Sequence, residues 1–153
     1  GTYPEFEEAF KFVLPGYCVR PLEMSGAIGS AQLKKLDRFV DARRNNAMVF
    51  QSEFQDLNTQ VEGYYDKSSW FGFAVVMRPN LRQRVLEKLK GSGVAVRPIV
   101  TGNFLNQPVM KHLPHRVAGN ITAAEHLDKN GFFFGNDHRD LTSKIREVRD
   151  IIG

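Results

Sequence analysis

The stretch Trp70–Met77, reading WFGFAVVM, decides the fold class. Aromatic and β-branched side chains fill it and Pro79 closes it, the pattern of a buried strand. Downstream, Leu81–Leu89 reads as a helix with Val85, Leu86 and Leu89 inward, ended by Gly91 and Gly93. A second strand is expected at Val94–Val100. Residues 101–120 hold two prolines, two glycines and three asparagines with no sustained period, and read as a long ordered loop. Thr122–Asn130 then makes a short helix and Gly131–Gly135 (GFFFG) a short strand. Leu141–Ile152 closes the chain as a helix, with Leu141, Ile145, Val148 and Ile152 on one face.

Upstream, Leu33, Leu36, Val40, Ala47, Phe50, Phe54 and Leu57 recur at helical spacing, so one long amphipathic helix is expected from Ser25 onward. Gly26 and Gly29 lie in its first turns. Each costs a helix about 1 kcal/mol relative to alanine, and a tight helix crossing is the expected compensation. Before it, Phe6–Val13 looks like a helix, broken by Pro15-Gly16, and Tyr17–Leu22 like a short rigid connector. The order of elements predicts an α+β fold, a small, mostly antiparallel sheet with helices packed on one side. Residues 1–24 read as a connector, and residues 25–153 as one domain that includes the long helix.

Composition agrees with a single globular unit: 153 residues, 42% hydrophobic and 25% charged. The net charge of +4 favours anionic ligands but falls short of a nucleic-acid-binding tail. The basic groups Lys34-Lys35, Arg43-Arg44 and Arg82 to Arg84 read as solvated helical faces. Cys18, the single cysteine, has no partner within the chain, which suits a reducing compartment. With no run of about 18 apolar residues and no secretory leader, a cytoplasmic protein without membrane contact is expected.

No glycine-rich phosphate loop, HExxH, nucleophile elbow or CxxC occurs, so no stand-alone catalytic motif and no metal site is expected. His112, His115, His126 and His138 lack the spacing of a metal pair. The segment Val96–Phe104, VRPIVTGNF, is more informative. Arg97 offers a planar fork suited to phosphate or carboxylate, and Thr101, the Gly102 backbone and Asn103 offer hydrogen bonds beside the apolar Phe104. A salt-bridged Arg97 and a capped turn would explain the same residues, and composition leaves both open.

Four blocks, GYCVRPLEMSGAIGSAQLKKLDRF (Gly16–Phe39), SSWFGF (Ser68–Phe73), VRPIVTGNFL (Val96–Leu105) and LDKNGFFFGN (Leu127–Asn136), resemble the DegT/DnrJ/StrS family of sugar aminotransferases and dehydratases. The resemblance implies the aspartate aminotransferase fold, type I, whose final third is a connecting helix and a small α+β domain. It implies a homodimer using pyridoxal or pyridoxamine 5'-phosphate on a nucleotide-linked keto sugar, with glutamate as amino donor. The wording is similar to the branch that dehydrates GDP-4-keto-6-deoxymannose at C3 for lipopolysaccharide O-antigen sugars. A sugar 4-aminotransferase of the perosamine-synthase kind, or a non-catalytic module that binds nucleotide sugars, is the alternative.

By the same resemblance, Arg20, Tyr17 and Cys18 would reach cofactor or substrate across the dimer, and Arg97, Thr101, Gly102, Asn103, Phe104 and Trp70 would line the substrate. The family usually has asparagine where Cys18 stands, and a thiol is a much weaker donor to a phosphate. The family's cofactor lysine, or the histidine base of the 3-dehydratases, precedes the segment that this chain matches. No catalytic residue is therefore expected in this chain, which should be silent and without cofactor by itself.

Overall fold

The computed structural model describes Val19 and residues 21–153, in two units, Gly1–Lys35 and Leu36–Gly153. In the first unit, helix α1 spans Glu23–Leu33 and has no buried residue. Its apolar side chains Met24, Ile28 and Leu33 are exposed, and a Cβ added at Gly26 or Gly29 would meet nothing within 4 Å. The expected tight crossing at these glycines is therefore not made among the described residues. The expected opening helix and most of the Tyr17–Leu22 connector lie outside them.

The single long helix is in fact two. Lys35 donates its amide to the Gln32 carbonyl at 2.9 Å, a bond to the third residue back that tightens the chain out of α-helical register. Helix α2 begins one residue later and spans Leu36–Glu53. Its apolar stripe is buried only in its later part, at Ala47 and Phe50, with Phe54 just beyond its end.

Strand β1 (Asn58–Thr59), not anticipated from the sequence, leads to β2 (Gly72–Val76), helix α3 (Arg82–Gly91) and β3 (Val96–Arg97). β3 is shorter than expected because Pro98 has no amide for the ladder and Ile99–Gly102 turns away. Two short 3₁₀ turns, Phe104–Asn106 and Pro108–His112, lie in the long loop. Helix α4 (Thr122–Asn130) runs directly into β4 (Gly131–Gly135), and α5 (Thr142–Ile152) follows. The sheet has the order β1-β2-β4-β3, antiparallel at every pairing.

Alternation divides the sheet into two faces. Phe73 pairs with Phe134 and Val75 with Phe132, and these four turn toward the helices. There they meet Phe50 of α2, Val85 and Leu89 of α3, and Ile145 and Val148 of α5. The Phe50 ring is the hub, 4.7 Å from both Phe54 and Phe73. Each such side chain contributes about 1.5–3 kcal/mol by leaving water. Gly72, Ala74, Gly131, Phe133 and Arg97 occupy the other face, which Leu127 of α4 and Ile99 approach at Gly131. Gly72 is required there, because a Cβ would come 2.7 Å from the Phe134 carbonyl and 2.8 Å from the Phe133 ring.

A buried polar knot joins α2 to the ends of β2 and β4. Asn46 Nδ2 donates to Asn136 Oδ1 at 3.1 Å and to the Arg139 carbonyl at 2.8 Å, while its Oδ1 accepts from the Leu141 amide at 3.0 Å. Asn136 Nδ2 donates to the carbonyls of Arg43 and Trp70, each at 3.0 Å. Arg43 donates to the carbonyls of Ser69 and Trp70 at 2.7 and 2.6 Å, and Arg44 to that of Ser68 at 3.1 Å. Arg82 likewise donates to the carbonyls of Asp128 and Gly131. These three arginines correct the expectation of solvated basic faces. Carbonyls that lack strand or helix partners need donors, and long guanidinium side chains supply them.

Candidate functional site

Arg97 is the last residue of β3 and pairs directly with Phe133, so both side chains stand on the face turned away from the aromatic core. It is exposed, and none of the ion pairs found among the described residues involves it. The salt-bridged alternative for Arg97 thus has no support there, and the guanidinium is available to an anion.

The turn after it is tightly determined. The Gly102 amide donates to the Ile99 carbonyl at 2.7 Å, with φ of +43° at Val100 and +56° at Gly102. For β-branched Val100 that region is strained, and its side chain is 79% exposed, so no packing compensates. Gly102 tolerates the conformation, and a Cβ there would meet the Asp128 backbone. Asp128 in turn accepts from Asn106 Nδ2 at 2.8 Å, which fastens the loop to α4.

Asn103 is 4% exposed, and its Oδ1 accepts the Leu105 amide at 3.1 Å. That is the capped turn of the structural alternative. Asn103 and Gly102 therefore shape the loop, while Arg97, half-buried Thr101 and the half-exposed Phe104 present groups from it.

Trp70 is placed apart from them. Its ring is 2% exposed in the core, with its centroid 6.3 Å from those of Phe50 and Phe73. Its φ of +50° breaks the strand alternation, which would otherwise have put residue 71 on the same face as Phe73 and Val75. Phe71 instead stands 78% exposed, its ring centroid 5.7 Å from that of Phe133. Sequence reasoning passed over both phenylalanines, since a positive φ at tryptophan leaves no mark in residue type.

Tyr17, Cys18 and Arg20 lie outside the described residues. The four histidines are exposed, and His138 stacks on Phe39 with 4.2 Å between ring centroids. A cleft of about 310 Å³ between β4 and α5 is lined by Val94, Phe134, Ile145 and Val148. Its rim cations are already paired, Arg139 with Asp137 and Lys144 with Glu147. Arg139 also holds the Asp137 carboxyl below the usual carboxylate range, chiefly by its side-chain hydrogen bond. No helix among the described residues is long and apolar enough to cross a membrane.

The sequence profile of the DegT/DnrJ/EryC1/StrS aminotransferase family matches residues 3–150. The GDP-4-keto-6-deoxy-D-mannose 3-dehydratase of Escherichia coli O55:H7 is 49% identical over 155 residues, covering 97% of this chain and 39% of that protein. A crystal structure of GDP-4-keto-6-deoxymannose-3-dehydratase with a trapped PLP-glutamate geminal diamine superimposes with a TM-score of 0.85 at 48% identity, over 99% of this chain and 41% of the other. A mutant of that dehydratase with bound GDP-perosamine also gives 0.85 at 48% identity, over 100% and 41%. The α+β expectation and the aminotransferase fold hold. The chain spans about two fifths of the length of the relatives it matches.

Proposed function

Because this chain belongs to the DegT/DnrJ/EryC1/StrS aminotransferase family, we propose that it is the small, C-terminal domain of an enzyme that dehydrates GDP-4-keto-6-deoxymannose at C3 in lipopolysaccharide sugar synthesis. The observation that carries this reading is the 49% identity, along nearly the whole chain, to a relative named for that dehydration. On this reading residues 25–153 form the small domain and residues 1–24 the connector to the rest. The enzyme is a cytoplasmic homodimer that draws on glutamate, and Arg97 with the turn behind it faces the substrate.

Pyridoxal or pyridoxamine phosphate would supply the electron sink for expelling the hydroxyl. The described residues do not fit that cofactor. A lysine that holds it as a Schiff base is one desolvated within a pocket, yet every described lysine is exposed, Lys67 and Lys144 at cleft rims included. The cofactor therefore belongs with the part of a longer polypeptide that carries the lysine or histidine base.

A chimera tests the reading, with this chain replacing the matching segment of the Escherichia coli dehydratase. The expected result is turnover of GDP-4-keto-6-deoxymannose, and Arg97→Ala in the chimera should raise KM about tenfold. Its melting temperature should not change, because Arg97 is exposed and unpaired among the described residues. A folded chimera that holds one equivalent of cofactor and does not turn over would overturn the proposal.

A further inference from the structure

The face of the sheet turned away from the aromatic core carries two phenyl rings at its middle strands and a cation one strand away, and the fold goes to some length to expose the outer ring. Phe71 is held out by its neighbours. Trp70 takes its unfavourable φ of +50° only because its carbonyl accepts from Arg43 and Asn136 and its amide donates to Ser68 Oγ at 2.9 Å. With 51° between their planes, Phe71 and Phe133 do not stack face to face, so a face of the Phe71 ring is left open. Gly72 lets the Phe133 ring lie back over the strand, keeping the platform low.

We propose that Phe71 and Phe133 receive the base, and Arg97 the diphosphate, of the nucleoside diphosphate end of the substrate. This placement rests on the reading above and adds to it which end of the substrate meets which residues. Strands β2 and β3 flank β4, so about 10 Å separates them, a span that a base and its diphosphate bridge. A ring face stacks on any base, and a guanidinium fork fits a diphosphate oxygen pair. The sugar then lies toward Thr101 and Phe104, beyond Arg97 along the chain.

The test is titration of the 153-residue chain with guanosine diphosphate and, separately, with inorganic pyrophosphate, followed by ring and amide NMR shifts. The expected result is that the nucleotide perturbs Phe71, Phe133 and Arg97. Phe71→Ala should weaken the nucleotide about tenfold and leave pyrophosphate unchanged. Phe71→Trp should restore the affinity, and Arg97→Ala should weaken both ligands. Phe71 is mostly exposed, so the melting temperature of Phe71→Ala should stay at the parent value and exclude misfolding. A nucleotide affinity untouched by Phe71→Ala, or no shift at either phenylalanine at millimolar nucleotide, overturns the placement. An active chimera together with either of those results would remove the base site and leave the proposed function standing.

Discussion

Asn46 and Asn136 are hydrogen-bonded to each other at 3.1 Å, though they stand 90 residues apart and are only 3% and 9% exposed. Between them they satisfy the carbonyls of Arg43, Trp70, Asp137 and Arg139 and the amide of Leu141. Asn46→Ala would strand several of these groups out of reach of water. A loss of about 3 kcal/mol is expected. For a chain of this size that corresponds to roughly 10 °C in melting temperature. A double-mutant cycle with Asn136→Ala should be strongly non-additive, because both variants break the same knot. Additive losses would show that the two asparagines act separately.

Val100 and Gly102, two residues apart in one turn, should respond to substitution with opposite signs. Val100→Asn keeps an exposed side chain but tolerates the left-handed backbone, and should raise stability by about 1 kcal/mol. Gly102→Ala forces a Cβ against the Asp128 backbone and should cost about 2 kcal/mol. Thermal denaturation of the two variants reads both signs. A destabilised Val100→Asn would mean that the turn is not strained.

The carboxyls of Asp137 and Asp140 are both held below their ordinary range, Asp137 chiefly by the Arg139 side chain and Asp140 by the Thr142 side chain. A carboxyl depressed in the folded state adds stability above its unfolded value, and that contribution disappears as pH falls through the folded value. Melting temperature should therefore decline as pH drops below about 4. Asp137→Asn should flatten part of that decline, by less than about 1 kcal/mol because the pair is largely exposed. A decline unchanged in the variant would assign it to other groups.

Much of the fold was readable from residue order because its strands are unusually aromatic. WFGFAVVM and GFFFG became β2 and β4, and Thr122–Asn130 became a helix with the expected bounds. The break at Lys34-Lys35 was invisible, since the apolar period runs through it undisturbed. β1 was missed because Asn58–Thr59 has no alternation of its own and is a strand only through its pairing with Val75 and Val76. Arg43, Arg44 and Arg82 were misread because their acceptors are backbone carbonyls, which carry no residue signature. At the candidate site Arg97 and its turn could be found from side-chain chemistry, whereas Phe71 owes its exposure to a backbone angle at Trp70.

The order in which the strands are made has a consequence for biosynthesis. β4 sits inside the sheet, between β2 and β3, yet it is the last strand to leave the ribosome, and α5 follows it. Until residues 131–152 are free, Phe73 has no cross-strand partner, Val75 has only Thr59 of β1, and Phe50 lacks Phe134, Ile145 and Val148 around it. The domain therefore gains little by folding before those residues emerge and collapses as a whole once they do. A chain cut within β4 would leave most of its aromatic surface uncovered, fit for proteolysis rather than for a partly working domain.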